Sequence, residues 1–253
     1  MKNSGICVVI PTYNNEKTLA AVIDSVMQYI EDVVVVNDGS TDNTNNILFH
    51  YNEKIKIISY ATNRGKGFAL KCGFDYAAER GFKYALTLDS DGQHYADDIP
   101  KFLDAAEVDP NTLIIGNRNF NHNNMPKKNS FANRFSNFWF VVQTGTRLPD
   151  TQTGFRLYPL EKMKSLRPFT SRYEAELEML VRCAWRRIPI VSIPVKVYYA
   201  PEGERVSHFR PSVDFLRISL LNTLFTILAV IYGYPAMLFR FFYSFAKLWL
   251  FNL

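Results

Sequence analysis

Tyr84-Ala85-Leu86-Thr87-Leu88-Asp89-Ser90-Asp91-Gly92-Gln93-His94 is an apolar run that empties into two carboxylates one residue apart. The run reads as a buried strand and the acids as its carboxyl end. In an open α/β sheet ligands bind just beyond the carboxyl ends of the strands. Asp-x-Asp at such a place either caps the next helix or holds a hard cation such as Mg²⁺ or Mn²⁺, which in turn holds a diphosphate. The surrounding chain decides between the two.

Working outward, the same pattern repeats. Ile6 to Ile10 is a β-branched strand closed by Pro11-Thr12-Tyr13-Asn14-Asn15, and Leu19, Val22, Ile23 and Val26 give helical spacing over Glu16 to Tyr29. Val33 to Val36 runs into Asn37-Asp38-Gly39-Ser40-Thr41-Asp42, with a polar helix from about Asn43. Here Asp38 is placed to accept hydrogen bonds from a base or ribose, and Asp42 to cap the helix. A third strand, Ile55 to Ser59, precedes Asn63-Arg64-Gly65-Lys66-Gly67 and a helix from Phe68 to Arg80. The glycines let a ligand approach the backbone, and Arg64 and Lys66 bring positive charge near a phosphate. A helix over Asp97 to Glu107 and a fifth strand, Leu113 to Ile115, end in Gly116-Asn117-Arg118. Alternating strands and helices predict a doubly wound, Rossmann-like α/β fold, a mostly parallel sheet with helices on both faces. Four successive strand ends carry polar, glycine or acidic clusters, which predicts a shared nucleotide site. No Ser or Thr follows Gly-Lys as a P-loop requires, and Pro-Thr-Tyr-Asn stands where a dinucleotide fold has Gly-x-Gly-x-x-Gly.

These clusters, in this order and spacing, resemble the family 2 inverting glycosyltransferases of the GT-A fold, and within them the dolichyl/polyprenyl-phosphate mannose or glucose synthases. The likeness runs from about residue 5 to 217; Asn37 departs from it, standing where many relatives carry a first Asp. It implies hexose transfer from a nucleotide-diphosphate sugar donor to a lipid-phosphate acceptor in cell-envelope synthesis; the alternatives are transfer to a hydroxyl of another lipid or envelope glycan, and a non-catalytic nucleotide-binding membrane protein. It further implies a divalent metal, Mg²⁺ or Mn²⁺, on Asp89, Asp91 and Gln93. Donor contacts are expected from Pro11, Thr12, Tyr13, Asn14, Asp38, Asn63, Lys66, Asp89, Ser90 and Arg156, the last within Asp150-Thr151-Gln152-Thr153-Gly154-Phe155-Arg156. The catalytic set is Asp91, Glu174, Asp150, Arg118 and Arg205. An ionised phosphate acceptor needs no strong base; a hydroxyl would need a carboxylate, for which Glu174 or Asp150 is the candidate.

Beyond residue 118 the pattern is looser. Residues 119–137 read as a mobile, Asn-rich basic loop leading into an amphipathic helix with Phe135, Phe138, Trp139 and Val142 on one side, in core or in lipid. Tyr173 opens a helix reaching about Arg187, with Leu177, Leu180, Val181 and Ala184 buried, Glu178 solvated and Glu176 placed by the helix dipole. Ile190 to Ile193 and Val195 to Tyr199 read as edge strands, and a loop with Arg205 and His208 follows.

Charge divides the chain. Residues 1–116 carry 10 Lys/Arg against 16 Asp/Glu, and residues 117–253 carry 19 against 8. A basic second half suits phosphorylated substrates and an anionic membrane surface, and no nucleic-acid motif accompanies it. Cys7, Cys72 and Cys183 are far apart, odd in number and placed in segments that read as strand, helix and helix, which implies buried thiols in a reducing compartment and not a disulfide frame or a zinc site. The N-terminus has no secretory h-region. Ile218 to Phe239 is 22 residues without a formal charge, long enough for a membrane span. Gly233-Tyr234-Pro235 would kink it, so two interfacial helices are equally physical, and a soluble homo-oligomer contact is the third reading. The expected organisation is a GT-A domain over 1–211, split into a donor half (1–118) and an acceptor half (119–211), with a membrane-associated helical segment over 212–253 on the cytoplasmic face.

Overall fold

The computed structural model describes residues 5–118, 127–164, 166, 168–199 and 211–251, with the backbone alone at 127–131, 211–213 and 243–251. Seven strands form one sheet: β1 (Ile6–Thr12), β2 (Val33–Asp38), β3 (Lys56–Tyr60), β4 (Tyr84–Thr87), β5 (Leu113–Arg118), β6 (Arg156–Pro159) and β7 (Ile190–Val195). Their order is β3-β2-β1-β4-β6-β5-β7. All are parallel except β6, which runs antiparallel between β4 and β5. The five-strand parallel reading is therefore right in direction, but a four-residue strand with no periodicity of its own separates the last two.

The strands read as continuous apolar runs because both faces are covered. Cys7 and Val9 of β1 join one core with α3 (Lys66–Glu79), α5 (Lys127–Thr144), α6 (Leu160–Met163) and α7 (Glu174–Trp185). Ile6, Val8 and Ile10 point the other way, into a second core with α1 (Leu19–Met27), α2 (Thr44–Phe49) and α4 (Ile99–Val108). Helix α3 lies so close to β1 that a Cβ at Gly73 would stand 2.3 Å from Val9 Cγ1.

From β1 the chain goes outward to β2 and β3 on one side and to β4 on the other. The β1/β4 boundary is thus the switch point of the sheet, where a crevice opens at the carboxyl ends. Asp42 accepts from Thr44 N–H at 3.0 Å, as a start-of-helix acceptor should. In α5 the core residue is Phe140, fully buried, whereas Phe138 is exposed, so the expected aromatic face is split. Of the two edge strands, only β7 forms; Val197 makes an isolated bridge with His94. Cys7 and Cys183 are buried and Cys72 partly so.

The C-terminal segment does not break at Pro235. Helix α8 (Pro211–Leu228) passes through a π-helical turn (Ala229–Gly233) into α9 (Tyr234–Phe251) without interruption. Proline lacks the N–H of a regular helix and crowds the carbonyl four residues back; the widened turn before Pro235 accommodates both defects. Asp214–Phe242 is long and apolar enough to cross a membrane by length and composition. It is also part of the fold, because Leu221, Phe225 and Ala229 belong to the larger core.

Candidate active site

A cavity of about 960 Å³ opens over the β1/β4 switch point. Its floor is made by the strand ends: Pro11, Thr12 and Tyr13 at the end of β1, Asp38 at the end of β2, Asn63, Gly65 and Lys66 at the start of α3, Asp89, Ser90, Asp91 and Gln93 after β4 and Arg118 at the end of β5. Thr151, Gln152, Gly154 and Arg156 form one wall, and Arg172, Tyr173, Glu174, Glu176 and Ile218 the other.

The acid pair is unequal. Burial alone would raise the Asp89 carboxyl, but the Lys66 ammonium 2.6 Å away overrides it and holds Asp89 below the ordinary carboxylate range. Asp91 has no such partner among the described residues; burial first, and then the Asp89 charge, push it up to about 6. One Asp91 oxygen accepts from Gln93 N–H at 2.9 Å, which fixes the loop. Asp89 also needs Gly154: a Cβ there would lie 2.2 Å from Asp89 Oδ2. His94 is buried behind the pair against Phe155, and burial lowers it to about 4, so its ring is neutral at physiological pH.

Do these residues fit a divalent cation? Among the described residues no group of three His, Cys, Asp or Glu converges as a closed metal cage. Two carboxylates and the Gln93 amide facing an open cavity instead match Mg²⁺ or Mn²⁺ held jointly by protein and substrate phosphates.

Several expected contacts acquire different work. Asp38 is buried and accepts from Arg64 N–H at 2.7 Å and Gly65 N–H at 2.8 Å, so it shapes the donor loop while still lining the cavity. Arg64 itself stacks on Phe68, 3.5 Å from the ring centroid. Asn14 lies outside the cavity lining: it sits at φ 51° and accepts from Thr41 N–H at 2.8 Å, stapling two loops. Ser90 donates to Pro11 O at 3.1 Å and accepts from Asn15 Nδ2 at 2.7 Å. Arg156 is fully buried and donates to the carbonyls of Thr151, Thr153 and Glu176, which makes it a strut of the wall. Thr12, by contrast, lines the cavity with a buried hydroxyl that has no partner among the described residues.

Asp150 does not suit the base role. Arg118 grips it with Nε at 2.7 Å and Nη2 at 3.0 Å, and Gln152 N–H adds 3.0 Å, so both carboxylate oxygens are already engaged. Glu174 is buried, accepts from Arg217 Nε of α8 at 3.2 Å and keeps Oε2 without a partner among the described residues. Arg205 and His208, like the loop 119–126, lie outside the described residues.

Two readings of α7 need correction. Glu178 is fully buried, accepts from Phe169 N–H, Thr170 N–H and the Thr170 hydroxyl, and pairs with Arg182 at 2.6 Å. Glu176 does more than complement a dipole; it shares Lys66 with Asp89, at 2.8 Å. Spacing could not reveal either, because nearly every position of α7 is buried and no polar face exists.

Residues 7–166 match the family model "Glycosyl transferase family 2". The chain belongs to glycosyltransferase family 2. This glycosyltransferase is 30% identical over 220 residues to the UDP-N-acetylglucosamine–dolichyl-phosphate N-acetylglucosaminyltransferase of Methanococcus voltae, covering 79% of the chain and 88% of the relative. It is 31% identical over 239 residues to the human dolichyl-phosphate beta-glucosyltransferase, covering 81% and 70%. Among solved structures it is similar to glucosyl-3-phosphoglycerate synthase of Mycobacterium tuberculosis in complex with Mn²⁺, UDP-glucose and phosphoglyceric acid, with TM-score 0.64, 20% identity and coverage of 88% and 78%. TarS of S. aureus in complex with UDP-GlcNAc gives TM-score 0.62 at 20% identity over 88% and 66%. These structures share the GT-A fold with the enzyme.

Proposed function

We propose that the enzyme transfers a hexose, with inversion, from a nucleotide-diphosphate sugar to polyprenyl phosphate at a membrane surface. One observation carries this reading: the cavity that holds the acid pair is walled on its other side by Ile218 and by the Arg217-linked Glu174, so the donor site opens onto the apolar helix α8. The relatives' acceptor, dolichyl phosphate, is a lipid carrying the anion that such a junction suits.

In this reading Thr12, Tyr13 and the Asp38-shaped loop hold the nucleoside. Asp89, Asp91 and Gln93 would hold Mg²⁺ or Mn²⁺, which when bound neutralises charge on the diphosphate. Lys66 sits between Asp89 and Glu176, within reach of the donor phosphates. Arg118, oriented by its fork on Asp150, directs positive charge into the cavity for the acceptor phosphate. A phosphate is already ionised near neutral pH and attacks without a base. The cytoplasmic face follows from a nucleotide-activated donor, which the cytoplasm supplies.

Two measurements test the proposal. Purified enzyme in mixed micelles, given a panel of nucleotide hexoses and polyprenyl phosphate, should yield one acid-labile lipid-linked hexose phosphate by mass spectrometry; transfer only to hydroxyl lipids would overturn it. Glu174→Gln should keep turnover with the phosphate acceptor within about tenfold of wild type. A folded Glu174→Gln protein with no turnover would return that carboxylate to the role of base.

A further inference from the structure

The continuous rod of α8, the π turn and α9 has two unlike faces. One is fastened to the domain along its length. Arg217 bonds Glu174 of α7, Asn222 accepts from Gln143 Nε2 of α5 at 3.0 Å, and Phe225 packs edge-on against Trp185. Further along, Gly233 is so close to Trp185 that a Cβ would meet its indole at 2.5 Å. Tyr234 donates to Val142 O at 2.7 Å, and Arg240 to Trp185 O at 2.6 Å. At a rise of 1.5 Å per residue, the fastened length from Arg217 to Arg240 is roughly 35 Å. The other face carries Leu216, Leu220, Leu224, Ile227, Ile231 and Leu238, all exposed at helical spacing.

A bilayer's hydrocarbon core is about 30 Å thick. If the fastened length crossed it, α7 would enter with Glu174 and its arginines, and α5 with its polar groups, at a cost that only unfastening would relieve. Just past the end of α7, Arg186 and Arg187 follow the Trp185 carbonyl that Arg240 holds, and Arg187 stacks 5.1 Å from the Phe241 centroid. Burial first, and then the charges of Arg182 and Arg240, lower the Arg186 pKa, which puts these basic groups close together where the rod's aromatic residues begin.

We infer that the rod lies in the plane of the membrane, its Leu216 to Leu238 face in the headgroup layer and the arginines at the end of α7 on anionic headgroups, and that it does not span. This places the Ile218 end, and so the cavity mouth, at the lipid surface. It rests on the membrane reading above, but its test needs no substrate and stands apart from transfer.

Leu220→Cys, Ile227→Cys and Leu238→Cys, each in full-length protein with Cys72→Ser, are labelled with bimane and mixed with vesicles of phosphatidylcholine and phosphatidylglycerol carrying nitroxides at defined depths. All three labels should be quenched most by the shallow nitroxide, to similar extents. Deep quenching at Ile227 with shallow quenching at both ends would mean a span, and no quenching at any position would mean that a second copy or another protein covers the face; either overturns the inference. Arg186→Gln and Arg187→Gln should each weaken binding to the anionic vesicles about fivefold, at about 1 kcal/mol per arginine near the surface. Unchanged affinity in both would overturn the headgroup contact.

Discussion

At the scale of single residues, two carboxylates two positions apart behave differently because one is paired with the Lys66 ammonium and the other is raised by burial and by its neighbour's charge. Asp91 has a folded-state pKa of about 6 against an ordinary 3.8. Between those values the native protein binds the proton more readily than the unfolded chain does, so metal-free stability falls as pH rises through that window and stays reduced above it. Asp91→Asn should therefore stabilise the chelator-treated protein at pH 7 by roughly 1–3 kcal/mol while abolishing metal-dependent donor binding. Denaturant titrations at pH 7 and pH 4 check this, since the gap should close at the lower pH. Gly154 is the second residue-scale case. A methyl group there meets the Asp89 carboxylate, so Gly154→Ala should keep the fold by circular dichroism and lose about a hundredfold in kcat/KM. The acid pair was legible in sequence as the end of a strand. That Gly154 supports it was not, because 65 residues of chain separate the two positions and only the antiparallel insertion of β6 brings them together.

At the scale of elements, the periodic segments were legible and the nonperiodic ones were not. Strands β1 and β2 declared themselves because burial on both faces demands unbroken β-branched runs. Strand β6 is four residues beginning with an arginine, and nothing local distinguishes it from a turn. Helix α7 misled for the opposite reason: three acids in its first half suggest solvent, yet each is buried with a partner from outside the helix. Glu178→Ala should therefore cost about 1–3 kcal/mol, the penalty for leaving the Phe169 and Thr170 donors without their acceptor, measured by urea unfolding. Contact between α3 and β1 supplies the complementary test. Both Gly73 and Val9 are buried and Val9 is stiff at χ1, so Gly73→Ala should destabilise by about 1–3 kcal/mol through overpacking.

At the scale of the molecule, the apolar C-terminal segment carries the catalytic fold's own core. Phe169 and Trp185 pack on Phe225, and Leu221, Phe225 and Ala229 are all buried within the sheet's larger cluster. A chain ending at residue 210 should therefore lose more than membrane affinity; thermal unfolding should become broad and noncooperative, with exposed apolar surface detected by dye binding. A truncated protein with an unchanged, cooperative transition would place the domain boundary at 211/212. By itself the amino-acid sequence determined the periodic strands and helices, the cluster at each strand end, and hence the family and its donor chemistry. Those are local signals, set by burial pattern and by residue types within a few positions. Only the tertiary structure decided which carboxylates are paired, which arginines are struts and that the apolar tail is fastened to the domain. Each of those depends on which distant residue arrives opposite, and spacing along a chain does not encode distance across a fold.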